Sequence, residues 1–222
     1  KNFDPQMLPR IVDALKLDFV GYITSPSFAP LAAIHEYQPL PAARIHYSEK
    51  HNLIVVLSEM SIPVNSSLEL SDKLYEYAKG LNADTIISLG GISLKEGEND
   101  VYFIASDASW TKDMLSKKIA KPIREGATTG VTGLLLTKGV LERYPIVSLL
   151  AESSAEYIDP KAASNALKVL SRILDIPIST GRLEKDAKEI AQGLKETQLK
   201  SKQQLKKGEM QMPNAPAGGM YG

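Results

Sequence analysis

The last three residues of the sequence, Met220, Tyr221 and Gly222, combine groups that can bind a partner together. Methionine and tyrosine supply apolar and aromatic surface with one hydroxyl, and a carboxylate at the chain end can meet a lysine or a nest of backbone N–H groups. A three-residue pattern also arises by accident at the end of any chain. The rest of the sequence must therefore show whether the pattern is a docking signal.

The residues before this motif predict a tail with no fold of its own. Residues 212–219 contain two prolines, two glycines and no charge. Such a composition buries too little apolar surface to offset the entropy lost on ordering. The sequence therefore predicts a flexible tail over residues 209–222. These 14 residues could span at most roughly 45 Å when extended.

A helical segment over residues 181–208 is predicted to connect this tail to the folded part. Its apolar stripe runs through Leu183, Ala187, Ile190 and Leu194 and then thins. The later part is dominated by lysines. These are an additional candidate contact for an acidic partner or simply a solvated face, and they are Lys200, Lys202, Lys206 and Lys207.

Two glycine-rich segments are candidate phosphate loops. Gly90-Gly91 follows an apolar run but lacks the third glycine of a dinucleotide fingerprint. Residues 126–133 read Gly-Ala-Thr-Thr-Gly-Val-Thr-Gly and lack the Gly-Lys-Ser/Thr ending of a nucleotide P-loop. The alternative interpretation is a tight turn that lets the following helix pack closely on a sheet.

No residues assemble a persuasive catalytic or metal site. The sequence has no cysteine, and His35, His46 and His51 show no metal-binding spacing. No Gly-x-Ser-x-Gly nucleophile elbow is present. The sequence therefore predicts a protein without catalytic residues, bound metal or cofactor.

The elements that must position these residues alternate between strands and helices. Apolar runs predict strands at Phe19–Ile23, Ala32–Tyr37, Ala43–Tyr47, Leu53–Leu57, Thr85–Leu89, Val101–Ala105 and Ile146–Leu150, with Gln38–Pro41 as a connection. Helical spacing and caps predict helices that begin near Asp4-Pro5, at Ser66 or Ser67, at Leu134 after the Gly126–Gly133 turn, and at Asp159-Pro160. This alternation favours an α/β core domain over residues 1–180, built on a mainly parallel central sheet with helices on both faces.

Charge and hydropathy narrow the class of partner. The 26 basic and 26 acidic residues cancel, so no global field attracts nucleic acid or an anionic membrane. No apolar run approaches the roughly 18 residues that span a bilayer. We therefore expect a cytoplasmic protein whose partners are neither nucleic acid nor membrane.

Three segments, in this order along the chain, carry a resemblance to a known family. They are Ile87-Ser88-Leu89-Gly90-Gly91, then Gly130-Val131-Thr132-Gly133-Leu134-Leu135-Leu136, and then Leu149-Leu150-Ala151-Glu152 with Asp159-Pro160-Lys161-Ala162-Ala163. The sequence resembles the proteasome assembly chaperone 2 family in its archaeal form, over roughly residues 10–190. On this resemblance Gly90, Gly91, Gly130, Gly133, Glu152, Asp159 and Pro160 are structural positions of the family.

The resemblance implies an α/β protein that self-associates and acts on the proteasome core particle without catalysing a reaction. Archaeal members carry a C-terminal hydrophobic–tyrosine–any residue motif (HbYX), which corresponds here to Met220, Tyr221 and Gly222. The implied partners are the α subunits of the core particle, between which the motif inserts so that the terminal carboxylate meets a lysine. The tail and the resemblance therefore indicate the same role.

The leading hypothesis is a non-enzymatic, homo-oligomeric assembly chaperone or ATP-independent activator of the proteasome. One alternative is an enzyme or small-molecule-binding protein that uses the glycine-rich loops at the strand ends. Another is that the tail packs on its own oligomer and that the partner is a second chaperone. The sequence alone leaves both alternatives open.

Overall fold

A computed structural model of the protein describes residues 7–35, 37–93, 100–153, 159–181, 183–190 and 192. The helices in this part of the chain are α1 (Met7–Leu15), α2 (Val64–Gly80), α3 (Ala108–Ser116), α4 (Gly130–Glu142) and α5 (Pro160–Leu174), and residues 183–190 are also helical. The strands are β1 (Asp18–Tyr22), β2 (Ala32–His35), β3 (Gln38–Pro41), β4 (Ala43–Ser48), β5 (Leu53–Ser58), β6 (Ile86–Ile92), β7 (Val101–Ala105), β8 (Lys121–Pro122) and β9 (Ile146–Glu152).

The main sheet has four strands in the order β6-β9-β7-β8. Strand β9 runs parallel to β6 on one side and antiparallel to β7 on the other, and β7 is parallel to β8. Almost every residue of β9 is buried. The hydrophobic run of β9 therefore suits a central strand covered on both faces.

The predicted mainly parallel central sheet fits only in part, because two of the three pairings in the main sheet are parallel but β7 and β9 are antiparallel, as are the pairings of the other strands. Only eight residues, 93–100, connect β6 to β7. A parallel return needs a crossover of about a dozen residues or more. Strand β7 therefore runs antiparallel to β6 and β9, and it pairs with the edge of β9 that faces away from β6.

Two hydrophobic clusters cover the two faces of the main sheet. Val147, Leu149 and Ala151 of β9 lie in a large cluster with α1, α3, α5 and β5. Ile146 lies in a smaller cluster with residues of α2 and α4. Because successive side chains of a strand point to opposite faces, helices pack on both sides of β9.

A second, antiparallel sheet has the order β1-β4-β5, and β2 and β3 form a separate hairpin. Val55 and Leu57 of β5 belong to the large core, so one face of this sheet lies against the main body. The prediction of Gln38–Pro41 as a connection is wrong, because these residues form β3. Two prolines made the segment look irregular, yet proline is accepted on edge strands.

Several helix boundaries differ from the predicted ones. Helix α4 begins at Gly130, so Gly130 and Gly133 are helical rather than part of a turn. Helix α2 starts at Val64 instead of Ser66 or Ser67, and α3 was not predicted. Helix α5 spans Pro160–Leu174 as predicted, and the Asp159 carboxylate accepts hydrogen bonds from the first turn. The Asp4-Pro5 start of the first helix lies outside the described residues.

Gly139 of α4 provides a test of how tightly this helix packs on the sheet. A Cβ atom added there would lie 2.7 Å from Ser106 Oγ and 2.9 Å from Ile146 Cγ1. The Ser106 hydroxyl cannot move freely, since it donates to Tyr144 O at 2.8 Å and accepts from Ile146 N at 2.9 Å. We expect Gly139→Ala to lower the free energy of unfolding by roughly 1–3 kcal/mol in urea titrations.

Gly80→Ala is the matched control, because Gly80 is also helical and an added Cβ there meets nothing within 4 Å. Alanine is the better helix former, so this variant should be as stable as the wild type or slightly more stable. Equal stability of the two variants would contradict the close approach of α4.

Candidate functional site

The first candidate site, at Gly90-Gly91, is part of the sheet. Both glycines lie inside β6 and pair with Leu150 and Ala151 of β9. A Cβ at Gly90 would lie 3.1 Å from Leu150 Cδ2, so glycine leaves room for this neighbour. Backbone that is held in a strand ladder does not form a loop around a phosphate. The expectation of a strand ending before Gly90-Gly91 is therefore wrong.

The second candidate site is the start of α4. Gly130 has φ +70°, in the left-handed region that favours glycine, and a Cβ at Gly133 would lie 2.6 Å from Thr128 O. The Thr132 hydroxyl hydrogen-bonds Ser88 of β6 at 2.7 Å. The Thr132 hydroxyl fastens the helix start to the sheet, and Gly133 leaves room for the backbone of the preceding loop. The geometry supports the packing interpretation rather than the phosphate loop.

The remaining positions that carry the family resemblance, Glu152, Asp159 and Pro160, lie at the ends of secondary-structure elements. Glu152 ends β9 and is buried, and its backbone N–H donates to Asp100 O at 2.8 Å. The Asp159 carboxylate accepts from Lys161 N and Ala162 N, both at 3.1 Å, and Pro160 is the first residue of α5. Asp159 and Pro160 therefore start a helix, which is a structural role.

The described part of the chain holds no group of three or more His, Asp or Glu side chains that could bind a metal ion. The three histidines have different surroundings. His35 contacts Glu59, His46 is buried beside Phe19, and His51 lies in the turn between β4 and β5.

A buried ion pair that sequence reasoning missed lies between the β2–β3 hairpin and the antiparallel sheet. Arg44 of β4 is almost fully buried and pairs with Glu59, which follows β5. Arg44 Nη1 also donates to Pro41 O at 3.1 Å. Glu59 Oε1 and Oε2 lie 2.8 and 3.0 Å from His35 Nε2 of β2. We call Arg44, Glu59 and His35 the hairpin anchor, because they join the hairpin to the antiparallel sheet.

No local pattern could have revealed the hairpin anchor. Its members come from β2, β4 and the end of β5, and a buried arginine is rare unless it is paired. Arg44 lies in the strand Ala43–Ser48 together with the polar residues His46 and Ser48, so its neighbours along the chain do not mark it as buried.

The predicted docking motif Met220, Tyr221 and Gly222 lies outside the described residues, as do Lys200, Lys202, Lys206 and Lys207. The structure does show how the segment that leads to them starts. Leu183 is buried in the large core. Arg10 of α1 pairs with Asp186, and Lys168 Nζ of α5 lies 2.7 Å from Glu184 Oε1. The hydrogen bond from Lys168, followed by that from Thr180, lowers the pKa of Glu184.

The exposed large apolar side chains of the described residues form two main groups, one on β1 and the hairpin and the other on and beside α2 and α4. Phe19 and Val20 of β1 are about half exposed, and Tyr22 is 63 % exposed. On the hairpin, Ile34 is 66 % exposed and Tyr37 is 99 % exposed. Large exposed apolar groups that cluster on a soluble protein are typical of a contact surface.

One groove lies between the loop after β1 and helix α2. It has a volume of about 110 Å³ and is lined by residues that include Ile23, Pro26, Phe28, Glu69 and Lys73. Pockets for small molecules are usually at least ~300 Å³ and lined mostly by apolar groups. The groove is therefore small for an organic ligand.

Comparison with known proteins identifies the family to which the chain belongs. The PAC2 family description matches residues 8–198, so the chain belongs to the PAC2 family. The crystal structure of Pyrococcus furiosus PbaA, described as an archaeal homolog of proteasome-assembly chaperone, superposes with a TM-score of 0.81. The two chains are 25 % identical, and the match covers 95 % of this chain and 90 % of PbaA.

Two further relatives resemble the chain. Pyrococcus furiosus PbaB, described as an archaeal proteasome activator, has a TM-score of 0.72 at 24 % identity and shows the same fold over 87 % of each chain. An uncharacterized protein of Methanocaldococcus jannaschii is 26 % identical over 204 residues, which are 92 % of this chain and 84 % of that protein. Separately, none of the described helices is both long and apolar enough to cross a membrane.

The hairpin anchor generates one stability prediction. Glu59→Gln should leave the buried Arg44 charge without its counter-charge, which typically costs roughly 3–5 kcal/mol. We expect a loss of that order in the free energy of unfolding measured with urea. Asp113→Asn is the control, since Asp113 and Lys117 form an exposed pair at 2.9 Å, and such pairs contribute at most about 1 kcal/mol. Equal losses would show that Arg44 remains neutralised in another way.

His46 generates a pH prediction. Burial is the largest effect and lowers the pKa of His46. The Leu17 backbone opposes it, the Arg44 charge lowers the pKa further by a smaller amount, and Asp13 has the smallest, opposing effect. The unfolded chain, with a histidine pKa of roughly 6.5, then binds more protons than the folded chain at acidic pH. This contribution to stability is complete above that value and is lost as the pH falls below it.

We therefore expect wild-type stability to fall more steeply than that of His46→Gln between about pH 6.5 and 5. The two curves of unfolding free energy against pH should run parallel above about pH 7.5, where histidine is neutral in both states. A difference between the two proteins that stays constant over the whole range would contradict the prediction.

Proposed function

We propose that this protein is a non-enzymatic proteasome-associated chaperone or activator that docks its C-terminal residues on the α-ring of the core particle. The observation that carries the proposal is the likeness to PbaA over nearly the full length of both chains. The Met220-Tyr221-Gly222 ending supports it independently. The proposal places the protein in the cytoplasm beside the proteasome.

The folded domain supplies a fixed starting point for the tail. Leu183 in the core, with the Arg10–Asp186 and Lys168–Glu184 pairs, holds the start of the C-terminal segment against α1 and α5. A motif tethered to a folded domain searches a limited volume around its anchor. Several tails carried by one homo-oligomer would then act at high effective concentration on one ring, which strengthens weak individual contacts.

In this proposal each group of the motif has a separate task. Met220 fills an apolar pocket, the Tyr221 ring is buried while its hydroxyl finds a partner, and the Gly222 carboxylate pairs with a lysine. Aromatic anchors in well-packed pockets commonly dominate a binding interface. Lys206 and Lys207 would act mainly on the rate and salt dependence of association.

The alternative of a small-molecule site at the strand ends loses its sequence basis. Gly90 and Gly91 are held in the sheet, Gly130 provides the positive φ at the start of α4, and Gly133 leaves room for Thr128 O. Two polar groups of α4, the Thr132 hydroxyl and Lys138 Nζ, have protein partners, since they bond Ser88 and Asp72 at 2.7 and 2.6 Å. No observation on the described residues favours an enzyme.

The docking role is tested by capture of the proteasome core particle on immobilised protein. Tyr221→Ala should weaken binding by roughly 2 kcal/mol or more per tail, because it removes the aromatic anchor. Adding two residues after Gly222 should do comparable harm, since it displaces the carboxylate. The thermal midpoint of the folded domain should not change in either variant.

A matched control lies within the same tail. Met220→Ala should weaken capture, whereas Met212→Ala removes the same side chain eight residues upstream and should not. Equal capture of wild type, Tyr221→Ala and Met220→Ala would overturn the docking role. The tail packed on its own oligomer, with a second chaperone as partner, would then be the better interpretation.

A further inference from the structure

We propose that the β2–β3 hairpin is an arm that holds the β1 edge of a second copy of the chain. The arm comprises residues 31–35 and 37–41, and the edge comprises Phe19, Val20 and Tyr22. This inference rests on the proposed homo-oligomeric function and names the surfaces that would join its subunits.

One face of the arm is apolar and exposed. In the hairpin register Ala32 pairs with Pro41 and Ile34 pairs with Pro39. These four side chains share a face, because alternate residues of a strand point the same way. None of them carries a polar side-chain group, and Ile34 and the neighbouring Tyr37 and Leu31 are at least half exposed. On the opposite face Ala33 is buried and His35 reaches Glu59.

The prolines determine which edge of the arm can accept another strand. Proline has no N–H, so full cross-strand hydrogen bonding is possible only at the Ala33–Leu40 and His35–Gln38 pairs. At the Ala32–Pro41 and Ile34–Pro39 pairs the backbone groups of each strand point away from the partner strand. The outer edge of β3 therefore lacks two donors and is blocked. The outer edge of β2 keeps both N–H and C=O groups at Ala32 and Ile34.

The β1 edge offers a matching surface. Strand β1 pairs with β4 on one side and has no strand on its other side among the described residues. Its sequence is Asp-Phe-Val-Gly-Tyr, so no lysine or arginine protects the edge. Exposed apolar edge strands are templates for pairing with another chain. The register shift between Phe19 and Gly21 leaves Val20 as the bulged residue of this edge.

A second copy of the chain is the occupant that fits both surfaces. The arm face carries no charge and the edge carries only Asp18, so each prefers an uncharged apolar partner. An aromatic side chain presents roughly 150–250 Å², so the six exposed side chains of the two patches together offer several hundred Å². Contact of two different patches repeats head to tail and can close into a ring.

The hairpin anchor makes the arm stiff. Arg44 bonds Pro41 at the base of β3, and Glu59 bonds His35 at the end of β2. The arm is therefore held in one orientation before it meets a partner. Preorganisation of this kind reduces the entropy that association would otherwise cost.

Charge placed on the arm tests the proposal. Ile34→Asp and Tyr37→Asp should convert the wild-type oligomer into a monomer in multi-angle light scattering at micromolar concentration, with an unchanged thermal midpoint. Leu141→Asp is the matched control, because Leu141 is 78 % exposed on α4 and lies in neither patch. Arm variants that remain as oligomeric as Leu141→Asp overturn the arm.

Because the sequence contains no cysteine, single introduced cysteines report the contact directly. A mixture of Ile34→Cys and Val20→Cys chains should give a disulfide-linked dimer of the two under mild oxidation. Leu141→Cys mixed with Val20→Cys should not. Rapid linkage of Ile34→Cys with itself would show an arm-to-arm contact instead. In a third mixture, linkage of Ile34→Cys with Met220→Cys would show that the C-terminal tail occupies the arm. Either result overturns the proposal.

The outcomes separate this inference from the proposed function. A wild-type chain that is monomeric overturns the arm and the homo-oligomer together, while capture of the proteasome that depends on Tyr221 would still stand. An oligomer that is insensitive to arm charge overturns the arm alone. Loss of proteasome capture in a Tyr221→Ala oligomer leaves the arm intact.

Discussion

The burial of strand β9 on both faces and both edges is the constraint on which the rest of the structure depends. Its backbone groups must pair with β6 on one side and β7 on the other, because an unpaired N–H or C=O inside the protein costs free energy. Its side chains alternate between two cores, so helices must cover both faces. The close approach of α4 at Gly139, with Ser106 linking Tyr144 and Ile146, follows from the need to exclude water at one end of this strand.

Local sequence pattern predicts an element correctly where neighbouring residues alone determine its structure. The Asp159-Pro160 start of α5 was predictable because the cap and the proline each favour a helix start. The direction of β7 was not, because it depends on where a short connection leads in three dimensions. The glycines of residues 126–133 suit a loop and a tightly packed helix start equally well. The hydrogen bond between Thr132 and Ser88 of β6, which ties the helix start to the sheet, distinguishes the two.

The candidate binding groups likewise divide into those that the sequence predicts and those that only the fold brings together. The Met220-Tyr221-Gly222 motif is contiguous and needs no fold to be seen. The hairpin anchor could not be predicted, because Arg44 lies nine residues from His35 and 15 from Glu59. Their meeting depends on the pairing of β4 with β5 and on the hairpin turning back over its end. The exposed apolar face of the arm could likewise not be predicted, because the observed strand register is needed to assign each residue to one of the two faces.

The hairpin anchor is an expensive way to hold a hairpin if stability is its sole purpose. Replacing a buried ion pair by apolar groups is often neutral or stabilising, since the desolvation of two charges offsets much of their attraction. An apolar contact, however, is non-directional and would let the hairpin tilt. Hydrogen bonds from Arg44 to Pro41 O and between His35 and the Glu59 carboxylate instead define one angle between the hairpin and the sheet. If the arm holds a neighbouring subunit, that angle sets the relative orientation of successive subunits. An error of a few degrees at each contact would accumulate around a ring and prevent its closure. The directionality of the anchor is then the property that the proposed arm requires.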